Sequence, residues 1–280
     1  MNIKSTVTLN NGVKMPRFGL GVYKSADKTK QAILWALEAG YRLIDTAAFY
    51  GNEREVGEAI RESGIDRSEI FVTSKLWNDA QLEDRQIEAV EKSIELLGLD
   101  YIDLYLVHWP IDDKYIETWS VLEGFYKAGA LRSIGVSNFL ESHLEALRAE
   151  SEITPAVDQL ELSPFGSRRN LREYLKHNGI VAEAWAPLSR GKYFDHPTIS
   201  KIAKETGKTP AQVILRWDIQ SDIVTIPKSV TKERIIQNAD VFDFELSDKQ
   251  MAEINALDKE EYSHDPNNLS FLTGDSYGIR

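Results

Sequence analysis

The stretch Gly40-Tyr41-Arg42-Leu43-Ile44-Asp45-Thr46-Ala47-Ala48-Phe49-Tyr50-Gly51 sets a helix stop, a short apolar run and a polar cluster in immediate succession. Upstream, the segment from about Asp27 to Ala39 carries Ile33, Leu34 and Leu37 on one helical face, and Gly40 ends it. Leu43 and Ile44 then form a strand with no polar alternation, as in strands buried on both faces of a parallel sheet. A second helix with Val56 and Ile60 follows and stops near Gly64. Strands alternating with helices imply right-handed βαβ units and a parallel sheet.

The same unit repeats along the chain. Ile70-Phe71-Val72 leads into Lys75, then a longer helix with Leu82, Val90, Ile94 and Leu97 closes at Gly98. Ile102 to Val107 is the next strand and ends at His108, with a helix from about Thr118 to Lys127. Leu131 to Val136 precedes a helix from about Glu141 to Arg148; Ala156 to Leu160, Ile180 to Ala184 and Ile223 to Ile226 supply further strands, the last before a helix from Thr231. With Phe18 to Gly21 as the first, the count is eight, which predicts an α/β chain folded as a (β/α)8 TIM barrel. An N-terminal β-hairpin over Thr6 to Met15, turning at Asn11-Gly12, precedes it, a short tail follows, and residues 1–280 are expected to form one domain. An open dinucleotide-binding sheet needs G-x-G-x-x-G, and Gly19-Leu20-Gly21-Val22-Tyr23-Lys24 lacks the third glycine. Gly207-Lys208-Thr209 resembles the end of a P-loop, but Ile202 stands where the first glycine belongs, so it is expected to be a turn before a helix opened by Pro210.

Composition narrows the function classes. The 280 residues are 42% hydrophobic and contain no cysteine, which allows a large core and excludes disulfides and thiolate chemistry. A net charge of −11, with Lys and Arg interleaved with acids, argues against a nucleic-acid partner. No stretch is long and apolar enough to span a membrane, and the first residues lack a secretory core, so a cytoplasmic location is expected. Nothing demands an oligomer, and a monomer is the expectation.

Strand ends of a parallel barrel share one face, where active sites are built. Here they bring Val22 and Tyr23, Asp45, Lys75, His108, Ser137 and Asn138, Gln159, Trp185 and Lys228, a polar set on apolar strands. If Asp45, Tyr50, Lys75 and His108 converge, Asp45 holds the Lys75 ammonium, the ammonium draws the Tyr50 phenol down from its usual pKa near 10, and a neutral His108 orients a carbonyl. The result is a general acid for carbonyl reduction. Against it stand blander readings: a structural histidine, a simple ion pair, or an imine-forming lysine of an aldolase.

Three segments carry a resemblance to a known family: GYRLIDTAAFYGNEREVG (40–57), LRSIGVSNF (131–139) and IPKSVTKERIIQN (226–238), supported by LDYIDLYLVHWP and FVTSKLW. Over essentially its whole length the chain resembles the aldo-keto reductases, in particular compact bacterial members that reduce glyoxal, methylglyoxal and other aldehydes. The resemblance implies a catalytic tetrad of Asp45, Tyr50, Lys75 and His108, NADPH as cofactor, a small carbonyl substrate and no metal. It implies that Ser137, Asn138 and Gln159 hold the nicotinamide carboxamide and that Trp185 stacks on the ring, where relatives often have tyrosine. Gly21 and Val22 also fall to the cofactor, with Pro187, Leu188 and Ser189 along the pyrophosphate. Lys228, Ser229 and Arg234 would surround the 2'-phosphate, and Gln237 and Asn238 the adenine. Tyr23, Phe49, Trp77 and Trp109 are expected at the substrate, covered by Leu269 or Phe271. Ser163 stands where relatives commonly carry histidine, and the loops after Trp109-Pro110 and near Gly191 are short. The alternative function is an NADPH-binding regulatory subunit with little turnover.

Overall fold

The computed structural model describes residues 1–269. Two short antiparallel strands open the chain, β1 (Thr6–Thr8) and β2 (Lys14–Pro16), with Val7 opposite Met15. Their connection is residues 9–13 rather than a two-residue turn: the Leu9 N–H donates to the Val13 carbonyl and the Gly12 N–H to that of Leu9. Gly12 sits at φ +87°, a conformation open to glycine without steric cost.

The eight expected barrel strands follow as β3 (Leu20–Gly21), β4 (Leu43–Asp45), β5 (Phe71–Leu76), β6 (Leu104–Val107), β7 (Ile134–Ser137), β8 (Val157–Glu161), β9 (Val181–Trp185) and β10 (Val224–Thr225). Neighbours in sequence are neighbours in the sheet, and all are parallel. Parallel bridges from Phe18 to Thr225 and from Gly21 to Lys228 join the first strand to the last. A Cβ on Gly21 would lie 3.0 Å from the Ile226 carbonyl oxygen, so this seam is tight where the strand has no side chain.

The surrounding helices are α1 (Thr29–Glu38), α2 (Glu53–Glu62), α3 (Asn78–Leu82), α4 (Gln86–Leu97), α5 (Tyr115–Lys127), α6 (Glu141–Glu150), α7 (Arg169–His177), α8 (Pro197–Thr206), α9 (Pro210–Gln220), α10 (Lys232–Ala239) and α11 (Asp248–Asn255). One expected helix is two. Asp84 at φ +55° separates α3 from α4, and Leu82 is exposed, off the buried stripe of Val90 and Leu97. Left-handed backbone suits Asp better than most residues and ends a helix whatever the apolar spacing beyond. Gly207-Lys208-Thr209 is a turn; Thr209 caps α9 and Gln212 reaches back to complete a capping box.

Two apolar layers result. Val56, Val90 and Trp119 belong to the layer between strands and helices. The barrel interior is filled by Leu43, Phe71, Leu104, Leu106, Val157 and Val224, and Leu9 and Met15 from the hairpin region pack against them. Inward positions recur every second residue. Four strands therefore show an apolar residue first and a polar one two or four later: Leu43 then Asp45, Phe71 then Lys75, Val157 then Gln159, Val181 then Glu183. This parity is what collects the polar groups at one end. Among the described residues no helix is long and apolar enough to cross a membrane.

Candidate active site

Lys75, wholly buried, donates to both carboxylate oxygens of Asp45 and to the Thr46 carbonyl, each at 2.8 Å. Its fourth neighbour is the Tyr50 hydroxyl at 3.4 Å. A short turn at Ala48–Tyr50 carries the phenol back over β5. Asn52 holds that turn down, accepting from the Thr46 hydroxyl at 2.6 Å and donating to the Val22 carbonyl and Thr29. His108, one residue beyond β6, meets the Tyr50 ring edge-on at 6.0 Å between centroids, with Trp77 behind it at 4.8 Å.

Electrostatics separate the roles of these groups. Burial lifts the Asp45 carboxyl above its usual range, with Lys75 pulling it back. Burial works against the Lys75 ammonium, but Asp45 and Tyr50 hold its pKa above the ordinary value. Burial, helped by the Lys75 charge, keeps the His108 imidazole neutral well below its usual range. Tyr50 departs from expectation. Burial outweighs the neighbouring ammonium and pushes the phenol up to about 12 instead of toward neutrality. A single cation 3.4 Å away offsets only part of the desolvation of a phenolate. Tyr50 is therefore a fully protonated donor at neutral pH.

These groups open into a cleft of about 860 Å³. Its wall includes Asp45, Tyr50 and His108, the aromatics Tyr23, Phe49, Trp77 and Trp109, then Ser137, Asn138, Gln159 and Trp185. It continues past Gly21, Pro187 and Leu188 to Lys228, Ser229, Arg234, Gln237 and Asn238. Phe49 stacks on Trp77 at 4.0 Å, and Leu269 packs against the Trp77–Trp109 pair. Phe271 lies outside the described residues.

Two expected positions are not on this wall. The Val22 side chain is buried in the layer between strands and helices, and its peptide N–H and carbonyl are spent on Asp45 and Asn52. Side chains alternate along a strand, so Val22 points away from the interior. Ser189 is likewise absent from the wall, while its neighbours Leu188 and Arg190 line it. Ala186, Ser189 and Arg190 all take positive φ, as does Asn138. Such residues cost about 1–3 kcal/mol each and gather where function requires a set backbone.

Sequence reasoning missed Lys24, Arg190, Phe194 and His264 on the wall and Glu183 beneath it. Lys24 and Arg190 sit near Tyr23: the Lys24 ammonium is 5.3 Å from its ring centroid, and burial raises the Tyr23 phenol while Arg190 opposes this. Glu183 left a signal, an acid inside an apolar run with the inward parity of Val181. No cluster of metal-ligating side chains occurs among the described residues.

The barrel brings a lysine–carboxylate pair, a phenol and a neutral imidazole together at its open end, and the chain belongs to the Aldo/keto reductase family, whose model matches residues 16–259. It is similar to a glyoxal reductase of Bacillus subtilis (strain 168), 52% identical across 93% of this chain and 95% of that protein. It is also similar to a 9,11-endoperoxide prostaglandin H2 reductase of Trypanosoma cruzi (strain CL Brener), 48% identical across 94% and 95%. A Bombyx mori aldo-keto reductase in complex with NADP superposes with a TM-score of 0.86 at 37% identity, covering 96% of both chains.

Proposed function

We propose that this barrel acts as one domain, a monomeric cytoplasmic reductase of small aldehydes and ketones, glyoxal and methylglyoxal among them, with NADPH as reductant. The observation that carries the reading is the Asp45–Lys75–Tyr50 chain set against a neutral His108 in one cleft. The rest of that cleft suits the cofactor. Among the described residues, no group donates to the Gln159 side-chain oxygen at one end, and Lys228 and Arg234 have no carboxylate partner at the other. Partial desolvation against the cleft wall and the nearby Lys28 charge depress the Lys228 ammonium, an effect that a phosphomonoester would relieve.

Bound NADPH supplies hydride to the carbonyl carbon. The His108 imidazole, neutral and carrying one N–H, orients the substrate oxygen. As that oxygen gains charge the Tyr50 hydroxyl gives up its proton, and the phenolate left behind faces the Lys75 ammonium. A phenol near 12 releases its proton only to a strongly basic oxygen, which favours transfer to a developing alkoxide over loss to water. Asp45 keeps the ammonium charged and fixed throughout. Trp77, Trp109, Phe49 and Tyr23 would enclose the substrate.

The two named relatives are nearly equally identical to this chain yet act on a small dicarbonyl and a lipid endoperoxide by their names, so substrate range needs direct measurement. NADPH consumption is followed with glyoxal, methylglyoxal and larger aldehydes. Turnover with the small dicarbonyls is expected; tight NADPH binding with no turnover on any aldehyde would replace this reading with a regulatory one.

A further inference from the structure

Glu183 is wholly buried on β9, directly across from Gln159 on β8, and takes no part in the tetrad. The Gln159 side-chain nitrogen donates to Asp45 Oδ2 at 2.7 Å and to Glu183 Oε2 at 2.8 Å. Both of its hydrogens are thereby committed, and both partners are carboxyl oxygens placed to accept. An amide turned the other way would set its carbonyl oxygen against the Asp45 carboxylate, which has no hydrogen to donate, so the amide turns its nitrogen toward Asp45 and Glu183. The Gln159 side-chain oxygen is left without a donor among the described residues, on a residue that lines the cleft.

The neighbouring side chains are spent in the same sense. The Ser137 hydroxyl donates to the Gln159 main-chain carbonyl at 2.8 Å. The Asn138 amide nitrogen donates to Ser137 and to the His108 carbonyl, and its oxygen accepts from Trp185 Nε1 at 2.8 Å. All three side chains therefore offer lone pairs to a ligand, and their own side-chain hydrogens are already used. A primary amide N–H₂ matches this cradle; a carboxylate would meet oxygen lone pairs. The charged groups acting on Glu183 are Asp45 from β4 and Lys75 from β5.

We propose that Glu183 is a positioning residue that, with Asp45, fixes Gln159 with its acceptor outward and so makes this end of the cleft selective for a carboxamide over a carboxylate. The inference rests on the reading that the nicotinamide end of NADPH lies against Ser137, Asn138 and Gln159. Glu183→Leu removes the acceptor, frees one Gln159 N–H and allows the amide to turn. Glu183→Gln keeps an amide oxygen able to accept from Gln159.

The test is a set of dissociation constants for wild type, E183Q and E183L, measured by calorimetry. The ligands are NADPH, its reduced deamido counterpart with a carboxylate on the ring, and 2'-phospho-ADP-ribose, which lacks the ring. Wild type should prefer NADPH over the deamido form by about 100-fold or more, the scale expected when a buried acceptor meets a group that cannot donate. In E183L that preference should fall about tenfold, with 2'-phospho-ADP-ribose bound within about twofold of wild type; E183Q should keep the wild-type ratio. A purely structural Glu183 would alter stability but not the ratio. An unchanged ratio in E183L, or no preference in wild type, overturns the inference while leaving NADPH binding intact. Absence of NADPH binding in wild type would overturn the proposed function and this inference together. If E183L does not fold, the wild-type ratio and Glu183→Met decide the matter.

Discussion

The two ends of the cleft treat charge in opposite ways. At the tetrad every charge is paired inside the protein: Lys75 with Asp45, and Asp45 again with Gln159, all shielded from solvent. At the far end Lys228 and Arg234 stand exposed with no carboxylate partner among the described residues, and Lys228 lies near the further cation Lys28. The first arrangement is complete before any ligand arrives, which suits chemistry that depends on fixed electrostatics. The second is completed only by an anion. Changes at the tetrad should therefore alter turnover and folding, and changes at the far end should alter binding.

The sharpest break of this contrast is Tyr50→Phe. Removing a positioned general acid typically costs 10² to 10⁴ in rate, about that loss in kcat is expected here, and the NADPH dissociation constant should stay near wild type. Near-normal turnover would remove Tyr50 from its role. Lys75→Met comes next. It leaves Asp45 buried without its cation, a situation that typically costs about 3–5 kcal/mol, so chemical denaturation should report a loss of that order. Unchanged stability would mean that the pair is not the internal ion pair that the geometry indicates.

Much of this arrangement was legible in the chain because strand ends in a parallel barrel have only one place to go. Asp45, Lys75 and His108 each follow an apolar run, and their convergence needed only the strand count. What escaped was set by parity and by burial. Val22 and Gly21 are adjacent in sequence, yet one faces the outer layer and the other the cleft. Glu183 stands inside an apolar run, and its inward direction follows from Val181 two residues earlier and from Val224 opposite it. The Tyr50 phenol lies above and not below its ordinary value; the neighbouring ammonium is visible in the sequence and the depth of burial is not. Arg190 and His264 come from irregular segments, whose backbone follows no periodicity that the sequence displays.

Glu183 also extends the contrast to pH. Burial, reinforced by the Asp45 charge, pushes its carboxyl up to about 8 from an ordinary value near 4.5. Below that ordinary value the group is protonated in folded and unfolded chains alike, and its contribution to stability is fully present. As pH rises toward 8 the unfolded chain loses the proton first, so native stability falls through this window. Gln cannot titrate. The stability of E183Q relative to wild type should therefore rise between pH 5 and pH 8, by on the order of 3 kcal/mol, when unfolding is measured across that range. A difference that is flat with pH would show that Glu183 ionises normally.

The smallest expected effect, Lys228→Ala, tests the other side of the comparison. Lys228 is exposed and pairs with no carboxylate among the described residues, so its removal should leave thermal unfolding within the small range usual for surface substitutions, about 0.5 kcal/mol. If its charge serves the 2'-phosphate, NADPH should weaken about tenfold, the scale of one charge-assisted hydrogen bond, while NADH, which lacks that phosphate, should change by less than about twofold. Raising the salt concentration should shrink the NADPH effect, because a contact at an exposed position is screened, whereas the Tyr50→Phe defect should be insensitive to salt. Equal weakening of both cofactors would place Lys228 at a group they share, and the far end of the cleft would then have to be read as a general anion site rather than as the feature that selects NADPH.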